Sequence, residues 1–413
     1  MNPESSKSLR ARWVITPNGE AVENGVIRIS DDGCVDDLHS QGDSVDQDFG
    51  NAAIIPALVN AHTHLEFSAL QEPIEPAWPF TDWIRAVVRQ RMAAGAASSL
   101  PDIQSGIEEA SAYGTAVIGE IATSADSQSA MYPGRAVVFR EIIGFARERI
   151  DDQCAIAERH LAEGQVASLD HSQLQIRHGL SPHAPYSVHP ELFRRVIELA
   201  RTSSAPVAMH IAETRDELRF LRDQTGRFRQ LLEDFGVWDA AALTTPARPM
   251  NYLQLLATVS HALVVHGNYL EQDELQFIAD NPSLTLVYCP RTHAWFRHAA
   301  HPWRRAMELG CRVAIGTDSR ASNPNLNLFA ELQFLAKSCT AAEKRTLLKL
   351  AISNGAVALG MPASELRPGD RADLVVVALP NQNLPPHDLL FHPAARVIQT
   401  WIGGRAVAGG DRI

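Results

Sequence analysis

Two styles of hydrophobic patterning alternate through the middle of the chain. Short unbroken apolar runs occupy Ile54 to Ala61, Thr115 to Ile121, Ala136 to Ile143, Leu174 to Leu180, Pro206 to Ile211, Ala262 to His266, Leu284 to Cys289 and Arg312 to Gly316. Runs of this length and composition read as strands buried on both faces, and helical patterns separate them. Eight such units in succession predict a parallel sheet closed into a (β/α)8 TIM-like barrel, with an open doubly wound sheet as the alternative. Phe80, Trp83, Ile84, Val87 and Val88 recur at helical spacing behind Thr81, a candidate cap, and predict one apolar stripe facing the barrel.

The two ends of the chain are patterned differently. Arg12 to Thr16 and Gly25 to Ser30 flank a turn at Asn18 and Gly19, with Asp31, Asp32 and Gly33 beyond, which is hairpin chemistry. Ala372 to Val377 and Arg396 to Ile402 repeat that style. The expected organisation is a small β-sandwich built from residues 1–55 and 365–413, with the barrel at 56–364. The stretch Thr225 to Met250, with two glycines and two prolines, exceeds a usual connection and reads as a loop inserted after the fifth strand, a candidate substrate lid.

Composition narrows the function. Of 413 residues 45% are hydrophobic, and 37 basic against 48 acidic side chains leave a net charge of −11, so no basic surplus exists for phosphate backbones or anionic membrane. No nucleic-acid or membrane partner is expected, and small-molecule chemistry is favoured. The five cysteines form no CxxC, no leader-like run opens the chain and no apolar stretch reaches bilayer length, which together predict a cytoplasmic protein.

Catalytic groups of such barrels sit where the strands end. There the chain places His62 and His64, two residues apart and so on one side of the strand, then His210, His266 and Asp318. A lone histidine at a strand end is more often a hydrogen-bonded structural residue. Polar groups ending four of eight apolar strands point instead to a metal, because each would otherwise be a desolvated group needing its own partner. Three imidazoles and a carboxylate suit Zn²⁺, or alternatively Fe²⁺, with a position left open for water.

With these motifs, and with Arg367-Pro368-Gly369-Asp370-Arg371-Ala372-Asp373-Leu374 in the returning half of the β domain, the chain resembles the amidohydrolase superfamily. Within it the resemblance is to the branch of ring-amine deaminases and chlorohydrolases. That resemblance implies metal ligation by His62, His64, His210 and Asp318, with Glu213 and His266 as catalytic partners. It also implies a hydrolytic mechanism in which Asp318 takes a proton from the attacking water and returns it to departing ammonia. Glu213 protonates the ring nitrogen and His266 stabilises the developing oxygen charge. The only lysines, Lys7, Lys337, Lys344 and Lys349, lie off the barrel strands, so a carboxylated-lysine bridge between two metals cannot form and one metal is expected. A glutamate bridge through Glu141 is the alternative.

Substrate contacts are expected from His183 in Ser181-Pro182-His183-Ala184-Pro185-Tyr186, from Ser319 and from Glu66, for which a capping or ion-pair role is the alternative, with Arg140 or Arg291 meeting a substrate carboxylate. Cys289-Pro290-Arg291-Thr292-His293 departs from the family's pattern at Thr292 and His293, and His298 and His301 are expected at the solvent side. His62-Thr63-His64-Leu65-Glu66-Phe67-Ser68, followed by Phe80-Thr81-Asp82-Trp83-Ile84 and Arg91, looks like the aminofutalosine deaminases, which act on an adenine-type riboside bearing a carboxyphenyl group. Methylthioadenosine or S-adenosylhomocysteine deamination, guanine deamination and triazine dechlorination stay open as alternatives. A non-catalytic scaffold is opposed by the intact ligand set, and the relatives imply a homodimer.

Overall fold

The computed structural model describes residues 6–40, 44–94, 99–167, 176–243, 245–362 and 364–408. The barrel strands are Leu58–His64, Thr115–Ala122, Arg135–Ile142, Ile176–Pro182, Val207–Ile211, Ala262–His266 and Leu284–Tyr288, with an eighth in two pieces, Val313–Ile315 and Asp318–Ser319. Each pairs in parallel with the next. The two pieces of the eighth strand close the ring: Val313–Ile315 bonds to the seventh strand, while Asp318 and Ser319 register against Thr63 and His64 of the first. The closed alternative therefore holds over the open sheet. The start expected at Leu174 for the fourth strand lies outside the described residues.

Alternation along the strands divides the core. Val137 and Phe139 point into the barrel with Val59, Val117, Leu263, Val265 and Val287, whereas Ala136 and Val138 face outward. The run read as one strand from Ile54 to Ala61 is two. Ala52–Pro56 belongs to the terminal sheet and Leu58–His64 to the barrel, because Pro56 has no N–H to continue a ladder.

The two chain ends meet in one sheet, in the order Arg405–Ala408, Arg396–Ile402, Leu374–Ala378, Ala52–Pro56, Lys7–Ile15, Ala21–Ile29 and Val35–Ser40, with Gln47–Asp48 also beside Lys7–Ile15. One face encloses its own core of Val14, Ile27, Ile54, Val376 and Trp401. The other face, with Ile55, Val375 and Val377, joins the core that continues around the barrel.

Two local expectations change. The helix Phe80–Ala94 begins before Thr81, which is therefore inside its first turn and not its cap. The inserted stretch is not simply a loop: it contains the helix Arg227–Asp234, and its residue 244 lies outside the described residues. None of the described helices is long and apolar enough to cross a membrane.

Candidate active site

The strand-end groups converge. His62, His64 and His210 present ring nitrogens within 4.8 Å of one another, as do His62, His266 and Asp318 through ring nitrogens and a carboxylate oxygen. Asp318 Oδ1 lies 3.7 Å from Nε2 of both His62 and His64. Ligand atoms about 2.0–2.1 Å from a tetrahedral cation stand roughly 3.3–3.4 Å apart, so the spacing is that of a cage about one ion. Both ring nitrogens of His62 are buried and make no hydrogen bond, an arrangement that water-excluded imidazole avoids unless a lone pair has another use. The residues present therefore fit a divalent metal.

Second contacts fix the donor atoms. His210 Nδ1 faces the carbonyl oxygen of His183 at 2.9 Å, so that nitrogen carries the proton and Nε2 is left with its lone pair toward the cluster. Burial, followed by repulsion from the neighbouring imidazole of His62, pushes His64 and His210 far below the ordinary histidine range and keeps them neutral. Burial alone would raise the Asp318 carboxyl, but the surrounding His62, His266 and His64 hold it well below the usual carboxylate range. Asp318 Oδ1 also accepts the Ser319 N–H at 2.7 Å.

The backbone is bent to make this possible. Ala212, His266 and Asp318 have φ of +53°, +67° and +59°, a left-handed region that costs a non-glycine residue energy and concentrates at functional sites. The eighth strand approaches the first so closely that a Cβ at Gly316 would lie 2.8 Å from the His62 carbonyl oxygen. Asn60 locks the two together, donating to Thr317 Oγ1 at 2.8 Å and accepting from the Thr317 N–H at 3.1 Å.

Glu213 stands beside the cluster, with Oε1 3.6 Å from His266 Nε2. Burial, then the charges of Asp318 and Glu217, push its carboxyl well above the usual range, the direction that favours its protonated form. His266 is kept neutral by burial, against the pull of Asp318.

A cavity of about 450 Å³ opens above these groups, and His64, His183, His210, Glu213, His266, Asp318 and Ser319 line its floor. Its walls are apolar. All five residues of the stripe from Phe80 to Val88 line it, facing the cavity, and Leu231, Leu232, Phe235 and Val237 of the inserted stretch complete it. His183 donates from Nδ1 to Ser187 Oγ at 2.6 Å, because the Ser187 hydroxyl donates to Ala184 O, and this leaves Nε2 as an acceptor.

Three expected substrate contacts are placed elsewhere. Arg291 is bound to Glu331, Nε to Oε1 at 2.6 Å, and to Asn325, so its guanidinium anchors a loop. Arg140 shares its strand face with Ala136 and Val138 and projects to the helix side, near Arg159 and Glu163. Glu66 does not line the cavity and takes the alternative ion-pair role: it pairs with Arg91 and accepts a hydrogen bond from Thr123 Oγ1 at 2.5 Å. The residues that do reach the cavity are Arg91, Glu141 and Arg149. Period-2 alternation along Ala136 to Ile143 already puts Glu141 on the inner side with Val137 and Phe139, a signal that favoured it over Arg140. The exposed Arg149 had no such signal.

His301 is another correction. Instead of facing solvent it is buried, donates from Nε2 to the His266 carbonyl oxygen at 2.7 Å, accepts the Trp303 N–H and stacks on Tyr288. His298 is also largely enclosed, with Nδ1 3.2 Å from Tyr269 Oη. Thr292 and His293 hold neighbouring loops through Ser322 and Ala299, outside the cavity lining.

Comparison with known proteins agrees with this geometry. Residues 53–407 match the amidohydrolase family model. The chain is 30% identical over 376 residues to the 5-methylthioadenosine/S-adenosylhomocysteine deaminase of Nitratidesulfovibrio vulgaris, covering 86% of this chain and 78% of that protein. It is 27% identical over 369 residues to the aminodeoxyfutalosine deaminase of Deinococcus radiodurans, covering 86% and 84%. A zinc-bound adenosine deaminase structure from Xanthomonas campestris superposes with a TM-score of 0.78 at 25% identity, covering 98% of this chain and 94% of that one. With the strand-end cluster and the matched span taken together, this chain belongs to the amidohydrolase family.

Proposed function

We propose that the chain is a metal-dependent hydrolytic deaminase of an adenine-type ring amine, with aminodeoxyfutalosine as the first candidate substrate. The observation that carries the reading is the placement of Glu213, its carboxyl pushed up by burial, beside a cluster of imidazoles and Asp318, its carboxyl held down, on the floor of one cavity. His62, His64, His210 and Asp318 would hold a divalent cation, which would supply the Lewis acidity that makes water nucleophilic at neutral pH. Asp318 accepts the proton of the attacking water. Glu213 donates its proton to the ring nitrogen, which spares the ring from leaving as an anion. His266 donates toward the developing oxygen charge, the proton on Asp318 passes to the departing amine as ammonia, and the proton lost from the remaining hydroxyl as the carbonyl forms restores Glu213. Zn²⁺ is the preferred ion, in line with the zinc-bound relative, and Fe²⁺ is the alternative. The cysteines are all free thiols, which suits a reducing cytoplasm.

The substrate reading rests on the walls. His183 Nε2 and Glu141, 4.0 Å apart, suit ribose hydroxyls. Beyond them the cavity is apolar, and the Arg149 guanidinium on its lining has no ion-pair partner among the described residues. An adenine riboside with an apolar, acid-tipped extension matches that order of surfaces, and the similarity to the Deinococcus radiodurans protein supports the same choice. Methylthioadenosine and S-adenosylhomocysteine form the second reading, favoured by the relative from Nitratidesulfovibrio vulgaris. Ammonia release from aminodeoxyfutalosine, methylthioadenosine, S-adenosylhomocysteine, adenosine and guanine tests the proposal. Highest kcat/KM on aminodeoxyfutalosine is expected. No turnover of any adenine compound, with dechlorination of a triazine, would overturn it.

A further inference from the structure

The turn that carries Glu213 is held from beneath by a second carboxyl group. After the fifth strand, Val207–Ile211, the chain swings through the left-handed Ala212 and turns two successive main-chain N–H groups toward Glu217. Glu217 Oε1 accepts the Ala212 N–H and Oε2 the Glu213 N–H, both at 2.8 Å. From the other side Asn268 Nδ2 donates to the Glu213 carbonyl oxygen at 3.0 Å. Both polar groups of the Glu213 backbone are thereby fixed, and so is the direction in which its side chain leaves the chain.

We propose that Glu217 is a positioning residue for the reaction, acting through Glu213 by clamping two consecutive main-chain N–H groups. The inference rests on the assignment of Glu213 as proton donor. Glu217 is fully buried, a costly place for a carboxyl unless its oxygens are satisfied. Burial pushes it up to about 7, against the main-chain bonds that favour the charged form. Helix capping accounts for only part of it. Thr214 caps the helix Arg215–Asp223 by accepting the Glu217 N–H at 3.1 Å, and the Glu217 carboxyl also faces the Thr214 N–H, but its two 2.8 Å hydrogen bonds go to Ala212 and Glu213 of the strand-end turn.

The separation of these roles makes a test. Glu217→Gln, Glu217→Ala, Thr214→Ala and Glu213→Gln are prepared in the full metal-loaded chain, and kcat, KM, metal content and melting temperature are read for each. Gln retains one acceptor but turns an amide N–H₂ against the other main-chain N–H, so kcat is expected to fall about tenfold. Glu217→Ala should cost about a hundredfold, the scale of a misplaced catalytic group, with KM within about twofold and metal retained. Thr214→Ala should lower the melting temperature and keep kcat within about twofold. Wild-type kcat in a folded, metal-loaded Glu217→Gln protein would overturn the inference, as would a Thr214→Ala loss equal to that of Glu217→Gln. Wild-type turnover by Glu213→Gln would instead overturn the proton-donor assignment beneath it.

Discussion

Glu213 and Asp318 are two carboxyl groups in one pocket driven in opposite directions. Burial and like charge push the Glu213 carboxyl up, while the imidazoles and the Ser319 N–H hold Asp318 down. Glu213→Gln should therefore bind metal normally and lose about 10² to 10⁴ in kcat, checked by ammonia release and metal analysis. The sign of the pH dependence follows. A carboxyl whose pKa is raised works as an acid below that value, so kcat should fall as pH rises through it, and a kcat–pH profile flat through the alkaline range would contradict the role. Arg291 gives the opposite kind of prediction. Because it is paired with the fully buried Glu331, Arg291→Ala should lower the melting temperature and leave KM within about twofold. Strand-end His62, His64, His210, His266 and Asp318 were legible because polar groups ending apolar runs stand out. Arg140 and Arg291 were misjudged because a cation's presence near a strand end does not say which way it points. His301 was invisible for a related reason: its partner is a main-chain carbonyl that only the fold brings near.

Among the elements, the eighth strand does most to shape the site. It must pass close to His62, and a Cβ at Gly316 would meet that residue's backbone at 2.8 Å and its Cβ at 3.0 Å. Gly316→Ala should displace His62 and lower metal occupancy more than it lowers the melting temperature, which metal analysis alongside thermal unfolding would show. The helix Phe80–Ala94 and the inserted helix Arg227–Asp234 form the apolar wall with Phe235. Phe235→Ser should raise KM for substrates with a large apolar extension and spare adenosine. The barrel strands were readable from continuous hydrophobicity and the amphipathic helix from its stripe. That the stripe faces a cavity was not, since periodicity reports an apolar environment and cannot tell packed side chains from an apolar ligand space. The break at Pro56 was missed because both halves of the run are equally apolar.

The molecule as a whole gathers its metal-binding and proton-transfer groups at one mouth of a closed barrel whose apolar interior is Val, Ile, Leu, Ala and Phe with Cys289. Unpartnered His62 and the left-handed Ala212, His266 and Asp318 are strained or desolvated there, and a bound cation would offset that cost. Both chain ends join the same core, since the terminal sheet packs its Ile55, Val375 and Val377 face into the core around the barrel. The most direct measurement is divalent metal content and ammonia release, taken together, for the wild type, His210→Ala and Glu213→Gln. The expected result is about one metal per chain in the wild type and in Glu213→Gln, little in His210→Ala, and turnover in the wild type alone. Full turnover by either variant, or by metal-free wild type, would contradict the assignment of this cluster as a metal-dependent deaminase site.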